Sequence, residues 1–172
     1  MHLTDVPFHR QKTAYTCGPA SLRMAFEYFG ECASEEELAR LLLTDSEIGT
    51  RHNKLIDIAV KRGFYCYVNN ESTIFEIQHF ISRDLPVIVH FLQNDEDNEG
   101  HYALVVGVDD EHLVFNDPWS GNHLELRGSD FLPLWQDPQG IYKQWLMVVS
   151  RDDLKVGRQF LPKDAKLKTI EH

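Results

Sequence analysis

From Gly18 to about Arg83, apolar positions recur mostly with the period of a helix; from Pro86 onward they gather into short runs typical of strands. Leu22, Ala25, Phe26 and Phe29 share one face of a predicted helix from about Gly18 to Phe29, with Pro19 suited to its first turn and Gly30 to its stop. Ser34 and Glu37 form a capping box for a second helix reaching about Leu43. A third helix is expected over His52 to Arg62, ended by Gly63, and a fourth from Thr73 to about Arg83. Between them, Phe64-Tyr65-Cys66-Tyr67-Val68 is an apolar run in which Cys66 reads as a buried strand thiol.

The strand-like runs are Pro86 to Phe91, His101 to Val108, His112 to Phe115, about His123 to Leu126, and Trp145 to Val149, with a short helix near Ser129 to Trp135. The turn Asp109-Asp110-Glu111 makes an antiparallel hairpin of the second and third runs. Helices first and strands second, without regular alternation, predict an α+β domain whose antiparallel sheet packs against helices.

A chain of 172 residues, 42% of them apolar and 26% charged, is expected to form one globular domain. No internal repeat divides it. No apolar run approaches the roughly 18 residues of a membrane span, and the opening MHLTDVPFHRQ has neither the basic start nor the apolar stretch of a signal peptide, so a cytoplasmic location is expected. A net charge of −10 argues against nucleic acid and anionic lipid as main partners. The segment from Arg151 departs from this balance, with six basic and four acidic residues. Residues 1–150 are therefore expected to form the domain, and residues 151–172 a solvated tail or a docking arm.

Three cysteines without CxxC spacing suggest neither a disulfide framework nor a zinc ribbon. Cys32 follows Gly30 and reads as a packing or surface residue. Cys17 is distinct because it precedes Gly18-Pro19 at a helix N-terminus, where unpaired N–H groups and the helix dipole favour a thiolate. A nucleophilic thiol needs a base, and His101 opens a strand at the end of the polar loop Asn94 to Gly100, at the expected rim of a cleft. Across the hairpin turn, Asp117 returns to the same end of the sheet and is placed to orient that imidazole. Asn116 is the alternative partner; strand alternation allows only one of the two to face His101. Gln11, six residues before Cys17, offers a side-chain amide that could join the Cys17 backbone N–H in an oxyanion hole.

Together, Val6-Pro7-Phe8-His9-Arg10-Gln11 through Thr16-Cys17-Gly18-Pro19-Ala20-Ser21-Leu22, then Gly100-His101-Tyr102, then Asn116-Asp117-Pro118-Trp119, resemble the papain-like cysteine peptidases related to the bacteriocin-processing, double-glycine leader peptidases. The likeness spans about residues 6 to 150. It implies a papain-like fold, with Cys17 as nucleophile, His101 as general base and acid, Asp117 as its orienting residue and Gln11 as oxyanion-hole donor, acting on a peptide or protein substrate without a cofactor or metal. Transporter-fused members continue into membrane spans and an ATPase, whereas this sequence ends at His172; the stand-alone branch is expected. Those members often carry an acidic residue just before the cysteine, where this chain has Thr16.

The expected activity is hydrolysis of a peptide or other amide bond through a thioester. The same site also suits acyl transfer to an amine or thiol, and a non-catalytic peptide-binding module or a zinc site on Cys17, His101 and Asp117 are further readings. Asp95, Asp97, Glu99 and Gly100 imitate the start of a calcium loop, yet the twelfth position is Val106 in a strand, which favours a solvated acidic loop. His90, His112 and His123 read as core or surface histidines, and Trp119 as groove lining or packing. Composition leaves the oligomeric state open.

Overall fold

In the computed structural model, which describes residues 1–93 and 99–163, the chain runs α1 (Cys17–Tyr28), α2 (Glu35–Leu41), α3 (His52–Lys61), β1 (Tyr65–Asn69), α4 (Ile74–Ile81), β2 (Val87–Leu92), β3 (Gly100–Val108), β4 (His112–Asp117), β5 (Gly121–Arg127), α5 (Gly128–Phe131) with a 3-10 turn over Leu132–Leu134, and β6 (Leu146–Ser150). The helices start where capping residues stand. Ser34 Oγ accepts the Glu37 N–H at 3.1 Å, and Thr73 Oγ1 accepts the Glu76 N–H at 3.2 Å. Gly30 ends α1 with φ +83°, a left-handed turn that lets Glu31 N–H return to the Phe26 carbonyl at 2.9 Å.

One expectation needs correction. The second helix ends at Leu41 and not at Leu43, because Leu43 adopts a φ of 54° and turns the chain toward Thr44, whose hydroxyl meets that of Thr50 at 2.7 Å. The strand expected around Cys66 is present as β1 and is a full member of the sheet.

That sheet has six strands, all antiparallel, in the order β1-β6-β2-β3-β4-β5. The last strand lies between two earlier ones, pairing Cys66 with Val149 on one side and Ile88 with Met147 on the other. β3 is buried from His101 to Val108, with α1 and α4 both packed on it, whereas β5 at the edge alternates between exposed and half-buried positions. Burial of β3 on both faces explains its unbroken apolar sequence. The core joins Leu22 and Phe26 of α1, Leu55 of α3, Phe80 of α4 and the inward residues of the sheet.

Residues 151–163 run back along the molecule. Phe160 exchanges two backbone bonds with Cys66, at 3.0 and 2.7 Å, Leu154 is fully buried, and the Arg151 guanidinium lies 4.0 Å from the centre of the Phe64 ring. Asp95 and Asp97 of the calcium-like motif, and residues 164–172, lie outside the described residues.

Candidate active site

Cys17 is the first residue of α1 and is 8% exposed. Thr16 occupies the N-cap but makes no side-chain cap bond, and the first turn holds no acidic residue. The N–H groups that open the helix therefore carry their partial positive charge uncompensated beside the thiol. Gly18 is required by close approach: a Cβ there would stand 2.5 Å from Thr50 Oγ1.

The hairpin brings His101 and Asp117 together. Leu104 pairs with Asn116, and extending that register sets Asp117 opposite Ala103, with His101 its diagonal neighbour on the same face. His101 Nε2 lies 2.7 Å from Asp117 Oδ1, and both side chains are buried. The same oxygen accepts the N–H groups of Trp119 at 2.9 Å and Ser120 at 3.0 Å, which fix the carboxylate in an Asx turn. With Nε2 committed to Asp117, Nδ1 is the nitrogen left for the hydrogen bond between His101 and the Cys17 thiol. The Tyr102 N–H also points at Cys17 Sγ, 3.5 Å away.

Burial opposes a charge on His101, but the bonds to Asp117 and Cys17 outweigh it and push its pKa up to about 9. Burial likewise works against the Asp117 carboxylate, yet the His101 bond and the two backbone donors hold its pKa below the ordinary value. Asn116 faces elsewhere; its Nδ2 donates to the carbonyls of Val6 at 3.5 Å and Pro7 at 3.3 Å and so ties down the N-terminal segment.

Gln11 is buried on a loop fastened next to this pair, with its backbone N–H on the Pro118 carbonyl at 2.9 Å. Its Nε2 donates to the Thr13 carbonyl at 2.7 Å, within the loop, and its Oε1 is buried without a partner. Cys17, His101 and Asp117 are thus joined by direct bonds, whereas the Gln11 side chain bonds inside its own loop and keeps one amide hydrogen uncommitted.

A cleft of about 830 Å³ opens beside Cys17. Tyr15, Ile48 and Thr50 line it near Cys17, and His52, His90 and Tyr142 form an aromatic wall. His52 stacks on Trp145 with ring centres 3.9 Å apart and bonds the Tyr102 hydroxyl through Nδ1 at 2.5 Å. That hydroxyl donates to the Thr50 carbonyl at 2.8 Å, so it accepts from His52, whose proton sits on Nδ1. Burial pushes the His52 pKa down to about 3; His90 is also lowered, by burial first and then by the fields of His52 and His101. His112 and His123 lie on β4 and β5 and do not line the cleft, and Trp119 is 52% exposed outside it.

Sequence reasoning passed over His52, Tyr102, Thr50 and Glu35. For Tyr102 a signal existed, since it adjoins His101 on a strand facing the helix that carries Cys17. The others come from remote segments and left none. Among the described residues, no group of three or more His, Cys, Asp or Glu side chains is arranged to hold a metal ion, and no helix is long and apolar enough to cross a membrane.

The model of the Peptidase_C39 like family matches residues 3–140. The chain belongs to that family. An uncharacterized protein of Methanothermobacter marburgensis is 34% identical over 119 residues, 69% of this chain and 76% of its own. Among solved structures, this C39-like chain superimposes on a C39-like peptidase chain from Bacillus anthracis with a TM-score of 0.72 at 17% identity, covering 88% of this chain and 97% of the other. The peptidase domain of Streptococcus ComA, a bifunctional ABC transporter, gives 0.68 at 23% identity, with 86% and 99% covered. A double-glycine motif protease from a PCAT transporter, solved with its leader peptide, gives 0.66 at 19% identity, with 84% and 91% covered. The fold is the papain-like fold of C39 peptidase domains, and fold and family together point to a cysteine peptidase.

Proposed function

We propose that the protein is a cysteine peptidase in which Cys17 attacks a peptide carbonyl, His101 moves the proton and Asp117 orients His101. The observation that carries this reading is the position of His101, bonded to Asp117 through one nitrogen and to Cys17 through the other. The proton held on His101 leaves with the amine, and water then releases the acyl group from the thioester. The developing oxyanion is met by the Cys17 N–H and by the uncommitted hydrogen of Gln11. The substrate is a peptide or protein chain laid in the cleft, as a leader peptide is bound by the PCAT relative. Glu47 and Glu99, against Arg51, make the described rim acidic on balance and favour neutral or basic side chains there. Residues 1–150 form the peptidase unit and the following segment an arm laid on it.

The test is competitive labelling with iodoacetamide, read by peptide mass spectrometry. Cys32 is exposed and Cys17 is buried, so accessibility alone favours Cys32. Faster labelling of Cys17, together with loss of cleavage of a peptide library in Cys17→Ala, is the expected result. Equal or slower labelling of Cys17 would sink the nucleophile assignment.

A further inference from the structure

Glu35 is a carboxylate 3% exposed, and its bonded partners among the described residues are all in the segment between Gln11 and Cys17. Its two oxygens accept the Lys12 N–H at 3.2 and 3.0 Å, and Oε2 accepts the Thr16 hydroxyl at 3.3 Å. Lys12 does not neutralise it, because the ammonium reaches the neighbouring Glu36. A buried carboxylate held only by an amide and a hydroxyl is costly, and an apolar residue would fill the same space more cheaply. Its placement at the first residue of α2 needs no such contact, since Ser34 already caps that helix.

The second observation concerns Thr16. A threonine at an N-cap ordinarily accepts a bond from the first turn of its helix. This one does not. Its hydroxyl oxygen instead accepts the Thr13 N–H at 3.2 Å, lies 2.9 Å from Thr13 Oγ1 and 3.3 Å from the Thr13 carbonyl, and reaches Glu35 Oε2 at 3.3 Å. The consequence falls on the segment between Gln11 and Cys17, because Glu35 holds it at both Lys12 and Thr16; the missing cap bond itself has a local reason, since Pro19 at the third helical position has no N–H.

We infer that Glu35 is a positioning residue that clamps residues 12–16, fixing the loop between Gln11 and Cys17 and so holding the Cys17 N–H and the Gln11 amide ready for the oxyanion. This rests on the nucleophile reading above. The clamp acts on the geometry of the oxyanion donors and not on the thiol, which His101 and the Tyr102 N–H face from the other side.

Two reagents separate these effects. p-Nitrophenyl acetate acylates a cysteine through a tetrahedral oxyanion: the S–C bond forms, p-nitrophenolate leaves, and water later releases acetate. Iodoacetamide displaces iodide with no oxyanion at all. In Glu35→Gln, the p-nitrophenol burst is expected to slow at least tenfold while alkylation of Cys17 stays within twofold of the unaltered protein. Thr16→Val, which removes the hydroxyl that meets both Glu35 and Thr13, is expected to show the same selective loss, and Thr16→Ser to restore the burst. If Glu35→Gln does not fold, the two Thr16 variants decide on the same criterion. Unchanged bursts, or burst and alkylation rates falling in equal proportion, would overturn the clamp while leaving the nucleophile reading intact. Failure of the unaltered protein to be acylated at Cys17 would overturn both.

Discussion

Two histidines beside one cleft are of opposite character. His101, buried and bonded to Cys17, has a carboxylate on its other side, and its pKa rises to about 9; His52, half-buried on the cleft wall, has Trp145, Tyr142 and His90 around it, and its pKa falls to about 3. Desolvation acts on both in the same direction. The difference is Asp117, helped by Cys17, which shows that a single well-held carboxylate decides whether a buried imidazole carries a proton at neutral pH. The same contrast separates two thiols. Cys66, sealed in β1, has its pKa raised by burial, whereas Cys17 faces an imidazole, a strand N–H and the open end of a helix.

Removing the carboxylate is the largest perturbation of this contrast. Asp117→Asn is expected to keep the fold and to lower turnover by up to about 10⁴-fold with little change in KM, because an amide favours the wrong tautomer and gives up the imidazolium. Steady-state kinetics on any peptide found by the library screen, with circular dichroism as the folding check, reads both effects.

The two histidines also impose opposite pH dependences on stability. His101 is raised in the folded state, so its contribution is complete below its unfolded pKa of about 6.5 and is lost as the pH climbs through about 9, an effect on the order of 3 kcal/mol. His52 is lowered, so its contribution is present above about 6.5 and is lost as the pH falls toward 3. His52→Phe keeps an aromatic ring against Trp145 and is expected to flatten the acid limb of a urea-unfolding series taken from pH 7 to pH 4, by about 3 kcal/mol at the acid end. An unaltered acid limb would mean that His52 is not the residue forced to charge on unfolding.

Smaller effects sharpen the comparison near the nucleophile. Gly18→Ala places a methyl group against Thr50 and is expected to cost about 1–3 kcal/mol in thermal unfolding while pushing the loop that forms the cleft wall outward. Thr50→Ala combined with it is expected to recover only part of that loss, because the Thr50 Cβ that alanine keeps would still stand 2.7 Å from the new methyl. Asn116→Ala removes the ties to Val6 and Pro7; a loss of about 1–2 kcal/mol in stability is expected, with turnover changed least of all the variants. A larger effect of Asn116→Ala than of Asp117→Asn on turnover would reverse the assignment of the residue behind His101.

Much of this arrangement was legible in the sequence wherever cause and effect lie close along the chain. Ser34 with Glu37, Thr73 with Glu76, and the hairpin across Asp109-Asp110-Glu111 are local, and they located two helices and the pairing of His101 with Asp117 to within a few residues. The aromatic wall was not legible, because His52, His90, Tyr102, Tyr142 and Trp145 come from separate segments and each alone reads as ordinary packing. Glu35 was hidden differently, since an acid in the first turn of a helix already has a local explanation. Leu43 could not be read at all, because nothing in its side chain announces a left-handed turn.

The position of β6 between β1 and β2 has a consequence for synthesis. As the chain emerges, Cys17 appears early, but the sheet cannot close until residues 146–150 have arrived to join its two parts. Contacts that span so much of the chain form slowly and late in folding. The strand order therefore ties completion of the sheet that carries His101 and Asp117 to the arrival of residues 146–150, long after Cys17 and the β3–β4 hairpin have been made.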